Sequence, residues 1–182
     1  ESEGSFFDLT FTRQIEDGQS IYEFVENEEF VDRDKIFIRA HSMGGTVAIK
    51  LAQLKNPKGL ILYAPGSNYS LENSNLIKSL DKLSKSQGLG EKDLGGIKLS
   101  AKIVDDSRKY NFLTMAEDYK GKVIMIRGEK DPVIEKESMT LLEKKFSDCK
   151  YIEIENIGHN FTSYEKRLEM FELTNDFIRE NI

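Results

Sequence analysis

The chain has 182 residues, which is enough for one ordinary domain. Its composition, with 38% hydrophobic and 32% charged residues, is typical of a globular protein with a core. No apolar run approaches the roughly 18 residues that a membrane-spanning helix needs, so we expect no membrane span. The formal net charge of −6 disfavours nucleic acid as a partner, because its phosphates would be repelled. One cysteine, Cys149, and two histidines exclude an internal disulfide and a closed Cys/His zinc site within one chain. We therefore expect a cytoplasmic protein without a metal.

The first half of the chain alternates helix and strand patterns. A helix is predicted to begin after Thr10, which can cap it, and to end before the polar turn at 31–34. Short β-branched and aromatic runs predict buried strands at 35–40 and 59–64. Between them, 46–54 is rich in helix formers and stops at Asn56–Pro57.

The second half repeats this alternation after a long interruption. Strands are predicted at 122–127 and 150–155, and helices at roughly 137–146 and 164–179. Strands alternating with helices predict an α/β fold with a mostly parallel sheet. Residues 67–119 break the rhythm and are too long for an ordinary loop, so we expect a lid or cap insertion there. The division is therefore core at 1–66, insertion at 67–119 and core at 120–182.

The junction Ala40–His41–Ser42–Met43–Gly44 lies between a predicted strand and a predicted helix. Small residues two before and two after a serine allow a sharp turn that pushes its hydroxyl above the sheet. The backbone N–H of Met43 could then donate to a developing oxyanion. The alternative is that Ser42 is only a small residue that caps the helix.

A serine nucleophile needs a base, and the base needs an orienting acid. His41 adjoins the serine, but its side chain should point away from the hydroxyl, which leaves His159 as the candidate base. Asp131 follows the third predicted strand and is the candidate acid, with Glu129 on the same loop as its rival. Alternatively, Asp131 caps a turn before a proline, and His159 is a loop histidine that packs on a nearby aromatic ring.

Together these motifs resemble the α/β-hydrolase superfamily. The order Ser42, Asp131, His159 is the order of that family, with AHSMG at the serine, GEKDPV at the acid and GHNF at the histidine. The opening SEGSF and the segment KIFIRAHSMGG are most similar to the cinnamoyl/feruloyl esterase or serine-aminopeptidase-like branch. The resemblance implies a catalytic triad and a serine hydrolase that cleaves a small to medium carboxylic ester through an acyl-enzyme, without a cofactor.

The resemblance leaves the substrate open. In the predicted lid, Tyr69, Phe112 and Met115 could line an acyl pocket, although such residues more often form the core of a lid. An aminopeptidase-like or monoacylglycerol-lipase-like hydrolase is the alternative within enzymes. A catalytically impaired chain that acts only in binding is the alternative outside them.

Two features depart from the family pattern. Ala40 stands where the family usually has Gly, and the added methyl is expected to be tolerated. The family's first four strands look absent, and so does the loop that supplies its second oxyanion donor. We expect 35–40 to be an open edge, with Ile36 and Ile38 or Phe37 exposed, that pairs chains into a homodimer or strand-swapped oligomer. Loss of one oxyanion donor costs about 10²–10³ in rate, so we also expect slow catalysis.

Overall fold

A computed structural model of the chain describes residues 3–87, 90–93, 95–96 and 98–182. Its strands are β1 (Phe37–His41), β2 (Gly59–Tyr63), β3 (Glu91–Asp93), β4 (Lys98–Ser100), β5 (Lys122–Gly128) and β6 (Cys149–Ile154). Its helices are α1 (Phe11–Glu26), α2 (Met43–Lys55), α3 (Asn68–Asn73), α4 (Asn75–Gln87), α5 (Lys102–Ser107), α6 (Phe112–Asp118), α7 (Lys136–Glu143) and α8 (Tyr164–Asn181).

Four strands form one parallel sheet in the order β1-β2-β5-β6. Phe37 is in register with Gly59, Gly59 with Lys122, and Val123 with Cys149, so the carboxyl ends of all four strands lie at one edge. Helices cover both faces of this sheet, so the predicted α/β architecture with a mostly parallel sheet is confirmed. Each of the four predicted core strands is present, displaced by no more than two residues at either end.

The strands alternate their side chains between two apolar clusters, as the pleat requires. On one face, Leu60 and Leu62 of β2 pack with α2, α6 and α7. On the other face, Ile61 and Tyr63 pack with α8. Because both faces are covered by helices, β2 is buried at every residue, which explains its continuous apolar sequence.

Helix α1 begins where its sequence predicts. The Thr10 side chain accepts a hydrogen bond from the Arg13 N–H, which satisfies one of the free amides of the first turn. A short 3-10 turn over Arg33–Lys35 precedes β1, so that strand begins two residues later than predicted. No helix within the described ranges is long and apolar enough to cross a membrane.

Residues 67–119, called the cap below, contain helices α3 to α6 and the β3–β4 hairpin. The cap has an apolar cluster of its own, in which Leu80, Leu99, Ile103 and Phe112 pack around Phe11 of α1. Asp106 ties the cap to the same helix, because its carboxylate accepts hydrogen bonds from the Thr12 N–H at 2.8 Å and the Thr12 hydroxyl at 2.7 Å. Three of the cap helices, α3, α5 and α6, have only six or seven residues, too few to show a clear periodicity, whereas α4 has 13 residues.

Strand β1 lies at one end of the described sheet, as expected. Its apolar side chains are less exposed than expected: Ile36, Phe37 and Ile38 are all half-buried. The reason is that Ile38 packs against the α2 face, while the Phe37 ring lies edge-on to the Phe177 ring of α8, 6.2 Å away. The apolar side chains of β1 are thus partly covered, whereas Arg39 and His41 are exposed and no strand of the described sheet pairs with its outer edge.

Candidate active site

The elbow, residues 40–44, joins β1 to α2 through one strained residue. Ser42 has φ 54° and ψ −125°, a conformation that L-residues rarely adopt. Its N–H donates to the Tyr63 carbonyl at 2.9 Å, and its own carbonyl accepts from Gly45 at 2.9 Å and Gly66 at 2.8 Å. These three bonds hold the strained residue and place its side chain above the carboxyl edge of the sheet.

The elbow is packed so closely that only small residues fit beside it. A Cβ on Gly45 would lie 2.5 Å from Cβ and 2.8 Å from Cα of Pro65, so this position requires glycine. A Cβ on Gly44 would lie 3.9 Å from the Ala40 Cβ, which is ordinary contact. The methyl group of Ala40, a departure from the family pattern, is therefore accommodated.

His159 lies on the histidine loop, residues 155–163, between β6 and α8. Its Nε2 is 2.9 Å from the Ser42 Oγ, and its Nδ1 is 2.8 Å from the Asp131 Oδ2. An ionised carboxylate can only accept, so Nδ1 carries the proton and Nε2 is free to accept the serine proton. The structure thus brings Ser42, His159 and Asp131 into one hydrogen-bonded chain.

Asp131 is held by the acid loop, residues 129–135, which connects β5 to α7. Its Oδ1 accepts hydrogen bonds from the Val133 N–H at 2.8 Å and the Ile134 N–H at 2.9 Å. The side chain has no solvent exposure. Burial by itself raises the pKa of Asp131, but hydrogen bonds from His159 and the two amides outweigh it and lower that pKa below its ordinary value. Asp131 is therefore held as a carboxylate.

Glu129, the alternative candidate for the acid, bonds to the histidine loop and joins it to the acid loop. Its carboxylate accepts a hydrogen bond from the Asn156 N–H at 2.9 Å, and its own N–H donates to the Ile154 carbonyl. The neighbouring Lys130 N–H donates to the Ile157 carbonyl at 2.9 Å. Glu129 thus fastens the acid loop to the histidine loop, and its carboxylate is engaged there rather than with His159.

His41 lies directly before the serine, yet it contacts the base. Its Nε2 donates to the His159 carbonyl at 2.9 Å, and the two imidazole rings are 4.8 Å apart. The His41 ring also lies edge-on to Phe161. Its contact with the base comes from the path of the histidine loop over the end of β1, which the sequence does not reveal.

A cavity of about 440 Å³ opens beside the Ser42 hydroxyl, called the Ser42 cavity below. The elbow, the cap and the acid loop each contribute to its wall, which consists of Ser42, Met43, Gly66, Leu71, Asn73, Ser74, Asn75, Ile77, Pro132, Val133, Ile134 and Glu135. Glu135 is the one ionisable side chain among these described lining residues. Sequence reasoning missed all the cap and acid-loop members of this wall, because no local pattern tells which side of a lid faces a cavity.

Two of the three residues expected to line an acyl pocket, Phe112 and Met115, pack within the apolar clusters. Phe112 is fully buried in the cap cluster, where its ring stacks with Tyr110. Met115 packs between the cap cluster and the α2 face of the core. The side chain of Tyr69 lies outside the part of the chain that the structure describes. Among the described residues, no group of three or more His, Cys, Asp or Glu side chains is placed to hold a metal ion.

A protein-family model matches part of this chain. Residues 6–89 match the family model described as serine aminopeptidase, S33, which covers the elbow and the first part of the cap. The search of curated protein sequences gave no match. The family model supports a hydrolase.

Solved structures share the fold across almost the whole chain. Est1E from Butyrivibrio proteoclasticus, solved with bound ferulic acid, superposes with a TM-score of 0.80 at 21% identity, over 100% of this chain and 72% of that one. A monoacylglycerol lipase from Paleococcus ferrophilus gives 0.71 at 16% identity, over 96% and 77%. The esterase domain of a Rhodothermus marinus protein gives 0.69 at 12% identity, over 91% and 68%.

These likenesses confirm the resemblance inferred from the three motifs. The chain has the α/β-hydrolase fold, and its residues 6–89 match the serine aminopeptidase, S33, family model.

Proposed function

We propose that this chain is a serine hydrolase that cleaves carboxylic esters of small to medium size through an acyl-enzyme. One observation carries the proposal: Ser42 Oγ, the His159 ring and the Asp131 carboxylate form a continuous chain of hydrogen bonds of 2.9 and 2.8 Å. A serine hydroxyl is a weak nucleophile at neutral pH, and this arrangement is the one that activates it.

The proposed reaction has two halves. His159 Nε2 takes the proton from Ser42 as its oxygen attacks the ester carbonyl carbon, and the resulting imidazolium returns that proton to the leaving alcohol. Water then attacks the acyl-enzyme, with His159 as base, and releases the acid and the free serine. Asp131 orients the ring and stabilises its cation throughout.

The oxyanion is proposed to lie at the start of α2. Met43 is the first residue of that helix, so its N–H has no acceptor within the helix, and it directly follows the nucleophile. The positive end of the helix dipole adds to this donor. Removal of a single oxyanion donor typically lowers the rate by about 10²–10³, which is the scale of the contribution proposed for the Met43 N–H.

The Ser42 cavity supports a substrate of modest size. Its volume falls in the range of roughly 300–1,000 Å³ that is usual for small-molecule sites. Leu71, Ile77, Val133 and Ile134 give it an apolar wall suited to an acyl chain or an aromatic ring. This wall favours a carboxylic ester over a strongly charged substrate.

A fluorophosphonate probe and a series of p-nitrophenyl esters test the proposal. The wild-type chain should be labelled and should hydrolyse acetyl or butyryl esters, whereas Ser42→Ala should lose both properties. Ser20→Ala is the matched control, since Ser20 lies exposed on α1 and its hydroxyl contacts only the helix backbone. Labelling of Ser42→Ala at the wild-type rate would refute the assignment of the nucleophile.

An aminopeptidase-like activity is a second candidate, favoured by the S33 family model and by Glu135. Glu135 is among the residues that line the Ser42 cavity, and its negative charge could attract the ammonium group of an aminoacyl substrate. The measurement compares aminoacyl p-nitroanilides with their N-acetylated forms. Faster hydrolysis of the substrates with a free amine, lost in Glu135→Gln, would favour the peptidase. Equally low rates of hydrolysis for the free and the N-acetylated p-nitroanilides would favour the esterase.

We also propose that the open edge of β1 pairs with a second copy of this chain. Ile36 and Ser42 direct their hydrogen bonds toward β2, so the alternating residues Phe37, Arg39 and His41 direct theirs to the open side. A groove of about 370 Å³ lies beside the strand, and Ile21 on its rim is 64% exposed. Such an edge templates strand pairing.

Sedimentation velocity over a range of concentrations tests this pairing. The wild-type chain should self-associate, and Arg39→Pro should weaken the association because it removes an N–H from the open edge alone. Arg39→Ala keeps that N–H and is the matched control. A monodisperse wild-type monomer at high concentration would refute the pairing.

A further inference from the structure

Arg127 is a charged side chain in the interior of the protein. It lies near the end of β5, on the same face as Val123 and Met125, and is only 5% exposed. A buried guanidinium is costly unless its donors are satisfied, because water no longer solvates its charge. The partners that satisfy it therefore indicate what the residue does.

Three nitrogens of Arg127 donate to three carbonyl oxygens of the acid loop. Nε donates to Ile134 at 2.7 Å, Nη2 to Asp131 at 3.0 Å and Nη1 to Glu129 at 3.4 Å. These carbonyls come from the start, the middle and the end of the loop. One side chain thus fixes the path of a segment that has no regular hydrogen-bonded structure of its own.

The charge of Arg127 is balanced from the neighbouring strand rather than by Asp131. Glu153 of β6 lies 3.7 Å from Nη1 and also pairs with Lys136. Arg127 contacts the main-chain oxygen of Asp131, whereas the carboxylate of Asp131 receives its bonds from His159 and two amides. Arg127 therefore acts on the Asp131 carboxylate indirectly, through the main chain of the loop, and does not bond to it.

We propose that Arg127 is a positioning residue that holds the acid loop so that the Asp131 carboxylate meets the His159 Nδ1. The proposal rests on the proposed function, because it concerns the same triad. The planar guanidinium presents its donors in a rigid fork, which a lysine ammonium on a flexible stem cannot reproduce at three separated oxygens. Without this fork, the loop keeps the amide bonds to the Asp131 carboxylate but loses the three bonds that fix its main chain over the end of β5.

The experiment compares Arg127→Lys and Arg127→Met with the wild-type chain. A displacement of about 1 Å at a catalytic group can cost about 10²-fold, so we expect Arg127→Met to lower kcat by about 10²-fold with KM little changed. Arg127→Lys keeps the charge and one bond, and we expect a smaller loss of roughly 10-fold.

A second readout follows the hydrogen bond itself. The His159 Nδ1 proton bonded to a carboxylate gives a far-downfield proton NMR signal, identified by its loss in His159→Gln. This signal should be sharp in the wild type, weakened in Arg127→Lys and lost in Arg127→Met. A residue that only stabilises the fold would leave the signal unchanged in the folded fraction.

Tyr119→Phe is the matched control. It removes a buried hydrogen bond to the Pro57 carbonyl, at the opposite end of the sheet, so it lowers the melting temperature without touching the acid loop. Wild-type kcat and an intact signal in folded Arg127→Met would overturn the proposal, as would equal losses of kcat in Arg127→Met and Tyr119→Phe. If the wild type neither labels nor hydrolyses, the proposed function fails, yet the NMR signal still decides whether Arg127 positions Asp131.

Discussion

Replacing Asp131 by Asn tests the proposed mechanism at its most sensitive point. Two backbone amides donate to the Oδ1 of Asp131, so an asparagine must keep its carbonyl oxygen there and turn its NH₂ toward His159. In the opposite orientation, the NH₂ group of the asparagine would face the Val133 and Ile134 N–H groups, and no acceptor would be left for them. The substitution therefore changes one acceptor into a donor at an almost unchanged shape.

The consequence depends on which ring nitrogen of His159 carries the proton. An NH₂ group 2.8 Å from Nδ1 forces that nitrogen to accept, so the proton moves to Nε2, which faces the Ser42 Oγ at 2.9 Å. A protonated Nε2 cannot take the serine proton. We expect kcat to fall by about 10⁴, as in other Ser-His-Asp enzymes, which corresponds to about 5 kcal/mol of transition-state stabilisation.

The assay is p-nitrophenyl ester hydrolysis together with the rate of fluorophosphonate labelling. Glu129→Gln is the matched control, because Glu129 lies on the same loop and its replacement still offers an oxygen to the Asn156 N–H. We expect Glu129→Gln to stay within a few-fold of wild type. A loss of esterase activity in Glu129→Gln, together with retained activity in Asp131→Asn, would refute the assignment of Asp131 as the acid.

The same substitution changes stability in a pH-dependent way. Because the folded pKa of Asp131 is lowered, the carboxylate stabilises the fold above the unfolded pKa of about 3.9. That contribution is lost as pH falls through the folded pKa. Thermal melts should therefore show wild type more stable than Asp131→Asn at pH 7, with the difference closing in strong acid. A difference independent of pH would contradict this account.

Three further predictions follow from the packing and chemistry of the core. Gly45→Ala should destabilise the protein by about 1–3 kcal/mol in urea denaturation, because its Cβ would lie 2.5 Å from Cβ of Pro65. Burial, with nearby carboxylates, raises the pKa of Cys149 to about 12, so its thiol should react slowly with a disulfide reagent at pH 8. His41→Phe keeps the ring contacts but removes the donor to the His159 carbonyl, and should reduce kcat several-fold while labelling persists.

Gly45→Ala and the Cys149 reaction each have a control, and the His41→Phe prediction has an outcome that would contradict it. Gly44→Ala adds the same methyl where the nearest neighbour is 3.9 Å away, so it should cost much less than Gly45→Ala. Cys149 should react at once in urea, and equal rates in the folded and unfolded chain would contradict its protection. A His41→Phe variant with wild-type kcat would exclude a part for His41 in placing the histidine loop.

The core of the fold was predictable because its signals are local. Alternating apolar strands and helix formers predict parallel β1, β2, β5 and β6, and parallel strands end at one edge of the sheet. Each of Ser42, Asp131 and His159 follows such an end, so their meeting could be expected before any coordinates. The strained turn at the serine is likewise encoded by small neighbours that are adjacent in sequence.

The cap was not predictable in the same way. Its helices α3, α5 and α6 have only six or seven residues and little pattern of their own, although α4 is longer and amphipathic. Distant contacts hold the cap, as where Asp106 accepts hydrogen bonds from Thr12, 94 residues away. For the same reason Phe112 could not be assigned to a pocket or a core from sequence, and the structure places it in the cap cluster.

The fold class, the order of the three candidate triad residues and the lack of a membrane-length apolar run can be read from the amino acids alone. The contacts around the candidate triad appear only in the folded chain: Arg127 with the acid loop, Glu129 between the two loops and His41 with the His159 carbonyl. Periodicity and turn chemistry act between near neighbours along the chain. Support of a loop depends on which carbonyl a distant side chain can reach, and that is settled only when the strands have taken their places in the sheet.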